Sequence, residues 1–179
     1  MVCGHVYGGG RGGLVGRIGA ITAEDWPVVR AIYEEGLRSG VASFETTAPS
    51  WEQWDAARLP HSRLIARDDA GVVLGWAVLS PVSNRACYAG VAEAGVYVAA
   101  AARGRGVGRA LLEALIESAE CNGIWTVQAA TIATNTASLA LQERCGFRVV
   151  GRRERIGKRD GVWHDTILTE RRSAQVGVD

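Results

Sequence analysis

The sequence has little that would direct it to a membrane or to nucleic acid. Among its 179 residues, 20 lysines and arginines face 19 aspartates and glutamates, so the formal net charge is +1. No global field would therefore attract nucleic acid or an acidic membrane. No apolar run approaches the roughly 20 residues that a membrane-spanning helix needs. Residues 1–13 also lack the apolar core of a signal peptide. We expect no nucleic-acid partner and no membrane partner.

The sequence also lacks a paired cysteine motif. Cys3, Cys87, Cys121 and Cys145 form no CxxC pair. Unpaired cysteines of this kind are typical of free thiols in a reducing compartment. We therefore predict a cytoplasmic protein without disulfides, and we expect no metal site.

Hydrophobic periodicity predicts one α/β (α+β) domain. Residues 1–13 are rich in glycine and lack periodicity, which predicts a flexible extension. Residues 14–172 form the predicted domain, in the order β-α-α-β-β-β-α-β-α-β-β, and residues 173–179 form a tail. Capping-box patterns at 22–25 and 50–53 precede the first two helices. Asp160-Gly161 favours a hairpin between the last two strands.

Glycines and arginines alternate between an apolar strand at 88–98 and an amphipathic helix at about 107–121. A helix N-terminus leaves about four backbone N–H groups unpaired and carries a partial positive charge. Glycines before it allow an anion to approach the backbone closely. The segment therefore predicts a pyrophosphate site, with a merely basic, solvated turn as the alternative. The predicted site consists of Arg103, Gly104, Arg105, Gly106, Val107, Gly108 and Arg109.

Three kinds of phosphate-binding loop could account for this segment. A Walker loop requires Gly-Lys-Ser/Thr, whereas this chain has Gly108-Arg109-Ala110. A dinucleotide-binding fold requires an acidic residue at the end of the next strand, and the strand at 124–128 ends without one. The third kind matches, because Arg103-x-x-Gly106-x-Gly108 resembles the R/Q-x-x-G-x-G/A signature of the GNAT superfamily of acyl-CoA-dependent N-acyltransferases.

Within that superfamily the chain resembles the phosphinothricin and methionine sulfoximine N-acetyltransferases and their arsinothricin-acetylating relatives. Four stretches carry the resemblance: IYEEGLRSGVASFET, YAGVAEAGVYVAAAARGRGVGRALL, NTASLALQERCGF and GKRDGVWHDTILTERR. The resemblance implies the GNAT fold, a mixed central sheet of about seven strands flanked by four helices. It also implies acetyl-CoA as cosubstrate, a small amino-acid-like substrate and a homodimer.

The resemblance assigns coenzyme contacts to two further segments. The backbones of Val96, Tyr97 and Val98 would pair with the pantetheine arm as an added strand would. Asn135, which opens a helix, would hydrogen-bond the coenzyme arm, with Ser138 nearby. Helix capping alone is the alternative for these two residues.

Glu93 lies at the position of the family's catalytic glutamate. An amine is mostly protonated at neutral pH, and a carboxylate can take its proton directly or through one water. The backbone N–H of Val98 would stabilise the oxyanion. The alternative for Glu93 is a structural ion pair in the sheet.

The resemblance also implies a substrate pocket. Arg85 matches a family arginine suited to pairing with a substrate carboxylate, and Phe44 and Glu45 match a segment that walls the pocket. A solvated arginine and an ordinary buried phenylalanine are the alternatives. His164 matches a family histidine that we expect to be a structural contact.

Two positions depart from the family pattern. Gln142 stands where the family often has a histidine, and glutamine cannot titrate, so either Glu93 acts alone or activity is reduced. An aromatic residue common near Gly90 is absent, which predicts a roomier or differently shaped pocket. Phosphinothricin itself is therefore not assigned as the substrate.

The predicted function is acetyl-CoA-dependent acetylation of the α-amine of a small amino acid or amino-acid-like toxin. One alternative is acetylation of peptides or proteins, which would need an open groove where the segment SGVASFETTAP is expected to lie. The other is a coenzyme A-binding module without catalysis, which the presence of Glu93 argues against.

Overall fold

A single mixed sheet forms the centre of the molecule. The computed structural model describes residues 7–8 and 15–178. Within these ranges eight strands lie in the order β1-β2-β3-β4-β5-β6-β8-β7. All neighbours are antiparallel except β5 and β6, which are parallel. The strands are β1 (Tyr7–Gly8), β2 (Arg17–Ala20), β3 (Arg63–Arg67), β4 (Val73–Pro81), β5 (Val91–Val98), β6 (Thr126–Ile132), β7 (Arg148–Arg159) and β8 (Val162–Arg172).

Four helices cover the sheet, and single 3-10 turns occur at Ala23–Asp25, Ala86–Tyr88 and Ala100–Ala102. The helices are α1 (Trp26–Arg38), α2 (Trp51–Ala56), α3 (Val107–Cys121) and α4 (Thr136–Arg144). Apolar residues of α1 and α2 pack with β3 and β4 in one core cluster, and those of α3 pack in a second cluster with residues of β2 to β6. In the described part of the chain, no helix is long and apolar enough to cross a membrane.

Aromatic residues hold α1 and α2 against the sheet. Trp76 of β4 is fully buried, and its indole N–H donates to the Val29 carbonyl of α1 at 3.0 Å. Its ring stacks on Tyr97 with the ring centroids 4.5 Å apart. A Cβ at Gly36 would lie 2.8 Å from the Tyr97 ring, so the absence of a side chain there lets α1 approach β5 closely.

The predicted element order is confirmed, as are the mixed sheet and the four helices. Strand β1 is additional, because two residues within a glycine-rich segment carry no hydrophobic period that would predict a strand. The rest of the predicted extension at 1–13 lies outside the described residues. Cys87 and Cys145 are free thiols, and Cys3 lies outside the described residues.

Candidate active site

Strands β5 and β6 diverge in the middle of the sheet. They pair over only three residues each, Val91–Glu93 with Thr126–Gln128, whereas β6 stays paired with β8 along its whole length. Beyond Glu93 the two strands open around a cavity of about 570 Å³. Residues 93–97 of β5 and 129–132 of β6 line it, together with side chains from α4 and from the loop after α1. Parallel strands that separate in this way leave backbone groups available for a ligand.

The register of β4 and β5 decides which backbone groups of β5 face this opening. The N–H of Ala99 donates to the Leu74 carbonyl at 2.9 Å. Alternate residues of an antiparallel strand bond to the same neighbour, so Tyr97 also faces β4 with its main chain. The N–H groups of Val96 and Val98 therefore point to the opposite side, toward the opening between the strands.

Tyr97 contributes a partly buried ring to the cavity wall. It lies between Trp76 and Tyr33, with ring centroids 4.5 and 4.9 Å away. Burial raises the pKa of the Tyr97 phenol well above its ordinary value, so the phenol stays neutral.

Glu93 lies where the two strands separate. Its Oε2 accepts a hydrogen bond from Nε2 of Gln128, its register partner on β6, at 3.1 Å. Glu93 takes part in none of the ion pairs among the described residues. The structural ion pair considered as an alternative is therefore not formed. A carboxylate oriented by a neutral amide remains able to accept a proton. The sequence did not predict Gln128 as the partner of Glu93, because that contact depends on the register between β5 and β6.

Asn135 makes two hydrogen bonds within the protein. Its Oδ1 accepts from the Ser138 N–H at 3.2 Å, so Asn135 caps α4. Its Nδ2 donates to the Val41 carbonyl at 3.2 Å, which ties the start of α4 to the loop after α1. Both Asn135 and Ser138 line the cavity. Their contact with a coenzyme stays a prediction.

The loop after α1 forms one wall of the cavity. Arg159 of β7 donates to the carbonyls of Leu37 and Ser43, both at 2.7 Å. The ring of Phe44 covers Gly157, where a Cβ would come within 2.6 Å of it. The His164 ring packs edge-on against the Phe44 ring, with the ring centroids 6.1 Å apart. The structural contact expected for His164 is therefore confirmed.

Phe44 and Glu45 both line the cavity, and Glu45 is exposed at its rim. The position of these two residues is compatible with the substrate-pocket wall predicted from the sequence. Contact of either side chain with a substrate stays a prediction.

Gln142 is buried between two threonines. Its Nε2 donates to Oγ1 of Thr131 at 2.8 Å, and its Oε1 accepts from Oγ1 of Thr169 at 2.9 Å. The amide is thus held at both ends and lines the cavity as a fixed, neutral group. Nearby, the hydroxyl of Thr166 is buried at the cavity without a hydrogen-bond partner among the described residues.

The glycine-arginine segment leads into α3. Gly104 and Gly106 have φ angles of +72° and +84°, which glycine adopts without strain. The first helical hydrogen bond of α3 joins the Ala110 N–H to the Gly106 carbonyl at 3.1 Å. The N–H groups of residues 107–109 precede this bond at the helix N-terminus. A Cβ at Gly108 would lie 3.5 Å from Val98 and 3.3 Å from Leu141. The helix start thus abuts β5 and α4, although the segment itself does not line the cavity.

Arg85 lies outside the cavity. It is exposed, and its guanidinium lies 5.6 Å from the centre of the Tyr88 ring. The structure therefore does not bring Arg85 together with Glu93, and its predicted role as the carboxylate-binding residue stays a prediction.

The space beside Gly90 is filled from the next strand. A Cβ at Gly90 would come within 2.0 Å of the Trp125 ring, so this indole lies over the glycine. Trp125 does not line the cavity.

Comparison with known proteins identifies the family. The sequence profile of the acetyltransferase (GNAT) family matches residues 26–147, a span that includes Glu93, the glycine-arginine segment and α4. The chain belongs to the GNAT acetyltransferase family. It is accordingly an N-acetyltransferase, and its fold is the GNAT fold.

Relatives of this GNAT protein are named as phosphinothricin or methionine sulfoximine acetyltransferases. The phosphinothricin N-acetyltransferase of Alcaligenes faecalis is 38% identical over 157 residues, covering 83% of this chain and 78% of that protein. The L-methionine sulfoximine/L-methionine sulfone acetyltransferase of Pseudomonas paraeruginosa is 36% identical over 146 residues, covering 79% and 85%. A crystal structure of a GNAT phosphinothricin acetyltransferase from Sinorhizobium meliloti, in complex with AcCoA, superposes with a TM-score of 0.83 at 28% identity, covering 90% of each chain.

Proposed function

We propose that this N-acetyltransferase transfers the acetyl group of acetyl-CoA to the α-amine of a small amino acid or amino-acid-like toxin. The observation that carries the proposal is the place of Glu93, a carboxylate at the point where β5 and β6 separate, facing a cavity of about 570 Å³. That volume is within the usual range for small-molecule sites. The names of the relatives support substrates of the phosphinothricin and methionine sulfoximine type.

The described residues fit acetyl-CoA in two places. The N–H groups of Val96 and Val98 face the opening between β5 and β6, where an extended arm could pair with them as a strand does. The glycines before α3 leave a helix N-terminus open to a pyrophosphate, with no acidic residue in the first turn. When bound there, acetyl-CoA supplies the activated acyl group.

The protein's own residues provide the remaining chemistry. Glu93 takes the proton from the substrate ammonium, directly or through one water, so that the amine can act as nucleophile. Gln128 holds one oxygen of that carboxylate at 3.1 Å and leaves the other for the substrate. The N–H of Val98 donates a hydrogen bond toward the acetyl carbonyl oxygen, on which negative charge develops when the amine attacks. Gln142 cannot exchange a proton, so Glu93 serves as the base alone.

The assembly and the location of the enzyme are parts of the same proposal. Strand β7 forms one of the two edges of the described sheet, and with β8 it exposes apolar side chains, which supports a homodimer through this edge. These side chains are Val149, Val150, Ile156, Val162 and Trp163. The free thiols of Cys87 and Cys145 support a reducing cytoplasm as the location. Acetylation of a toxin there would confer resistance to it.

A substrate screen tests the proposal. Thiol release from acetyl-CoA is measured with free amino acids, methionine sulfoximine, methionine sulfone and phosphinothricin, and with peptides that carry a free N-terminus. We expect turnover of one or more amino-acid-like amines, and loss of that turnover when the α-amine is blocked. Turnover of peptides alone would contradict the proposal.

A further inference from the structure

A half-buried arginine, Arg58, lines the same cavity as Glu93. Arg58 follows α2, and its backbone is held on both sides. Its carbonyl accepts from Nη2 of Arg63 at 3.3 Å, and the next N–H, that of Leu59, donates to the Leu79 carbonyl at 2.9 Å. The residue lines the cavity, and its guanidinium contacts Ser80 of β4.

The charge of Arg58 is not balanced by an acidic side chain. The described part of the chain contains eight ion pairs, and Arg58 belongs to none of them. Its Nη1 donates to Oγ of Ser80 at 2.9 Å, and the Trp54 ring lies 5.8 Å away. Its Nε is buried and has no hydrogen-bond partner among the described residues. An arginine stays charged, and a half-buried guanidinium with an unpaired Nε is stabilised when a counter-charge approaches it.

The position of Arg58 relative to Glu93 indicates which kind of molecule would carry this counter-charge. Ser80, which Arg58 contacts, is the register partner of Glu93 on the neighbouring strand. Directly opposite residues of an antiparallel pair share one face of the sheet, with Cβ atoms about 4.5–5.5 Å apart. The guanidinium of Arg58, which contacts Ser80, and the carboxylate of Glu93 therefore share one face of the sheet and line the same cavity. An α-amino acid has the complementary arrangement, since one carbon separates its amine from its carboxylate.

The other arginines do not offer this arrangement. Arg85 lies outside the cavity. Arg153 lines the cavity, but it is on β7, three strands from β5, which corresponds to roughly 14 Å at the usual strand spacing. That distance exceeds the separation between the amine and the carboxylate of one amino acid. The backbone of Arg153 is therefore farther from that of Glu93 than is the backbone of Ser80, the residue that Arg58 contacts.

We infer that Arg58 binds the α-carboxylate of the substrate, with Ser80 orienting the guanidinium, while Glu93 receives the proton of the α-amine. This inference rests on the proposed function and narrows it to substrates that carry a free α-carboxylate. Selectivity then resides in the turn after α2 and not in Arg85.

The test compares substrates with and without the carboxylate. L-Methionine sulfoximine has the α-carboxylate as its only acidic group, and its carboxamide lacks that group. Arg58→Met should lower kcat/KM for the acid by roughly 10- to 150-fold, mainly through KM, as expected for the loss of a hydrogen bond to a charged group. The carboxamide should lose less than about threefold, because it never made the contact. Arg58→Lys keeps the charge and should fall between the wild type and Arg58→Met for the acid.

Three controls make the result specific. Arg17→Met removes an exposed arginine of β2 that does not line the cavity, and both substrates should keep their wild-type values. Acetyl-CoA affinity, measured by calorimetry, should be the same in wild type and Arg58→Met. Phosphinothricin carries a second acid in its side chain. A loss with phosphinothricin but not with methionine sulfoximine would mean that Arg58 binds that side-chain acid, which would overturn the inference.

Other outcomes also decide the question. Equal losses for acid and carboxamide, or acid selectivity that disappears in Arg85→Met and not in Arg58→Met, would overturn the assignment while leaving the proposed function intact. If Arg58→Met does not fold, the acid-to-carboxamide ratio of Arg58→Lys decides instead. If the wild type turns over no amino acid, the proposed function fails. Titration of the coenzyme A-loaded enzyme with the acid and the carboxamide then still decides whether Arg58 selects the carboxylate.

Discussion

Replacement of Glu93 by glutamine isolates the proton transfer from the fold. The two side chains have the same shape, and the amide oxygen of the new residue can still accept from Nε2 of Gln128, now 3.1 Å from Oε2. The cost to folding should therefore stay near 1 kcal/mol, the scale of one weakened hydrogen bond. The carboxylate that takes the proton is nevertheless gone. General-base catalysis contributes about 100-fold or more, which corresponds to at least about 2.7 kcal/mol of the barrier.

The pH dependence adds a second readout. The variant can use only amine that is already unprotonated, and the α-amine of a free amino acid has a pKa well above 7, so its free fraction rises about tenfold per pH unit below that pKa. The activity of Glu93→Gln should therefore rise steeply between pH 7 and pH 9, and its deficit relative to the wild type should shrink at high pH. Thiol release measured across this range gives the profile. Calorimetry should show unchanged acetyl-CoA binding.

A matched variant controls for the loss of one carboxylate. Glu143 is exposed on α4 and does not line the cavity, so Glu143→Gln should retain wild-type turnover. If Glu93→Gln keeps a near-normal kcat at pH 7, the glutamate is structural. Positioning of the reactants would then have to account for the rate.

Three further changes test the coenzyme loop, the packing beside the site and the response to acid. Gly106→Val places a Cβ at a residue with a φ of +84° before α3, which should cost about 1–2 kcal/mol of folding stability. Acetyl-CoA affinity should fall more than about tenfold. Unchanged affinity by calorimetry would refute the role of this segment in phosphate binding. Gly90→Ala places a Cβ 2.0 Å from the Trp125 ring and should cost about 1–3 kcal/mol in urea unfolding. That cost should largely disappear in a Trp125→Ala background, and strictly additive effects would exclude the contact. Burial, with a smaller contribution from Arg63, lowers the pKa of His61. The folded protein therefore binds a proton at His61 less readily than the unfolded chain does, and it loses stability as the pH falls below about 6.5. His61→Gln should flatten that slope, and an unchanged slope would show that another group causes it.

The sequence determined the architecture because its signals are local. A change of hydrophobic period, capping residues and glycines each act within a few residues, and they predicted the helices and all strands except β1. The glycine-arginine segment before α3 and the position of Glu93 were likewise readable, since loop chemistry and family resemblance both lie in contiguous sequence.

The tertiary structure decided which side chains meet. Gln128 contacts Glu93 because two parallel strands share a register that ends there, and Arg58 reaches Ser80 because the turn after α2 is held against β4. Arg85, selected from the sequence, lies outside the cavity. These relations join residues 22 and 35 positions apart in the chain. Sequence patterns specify which face of an element is buried, but register and strand separation arise only when the whole sheet packs, so only the folded chain could show these contacts.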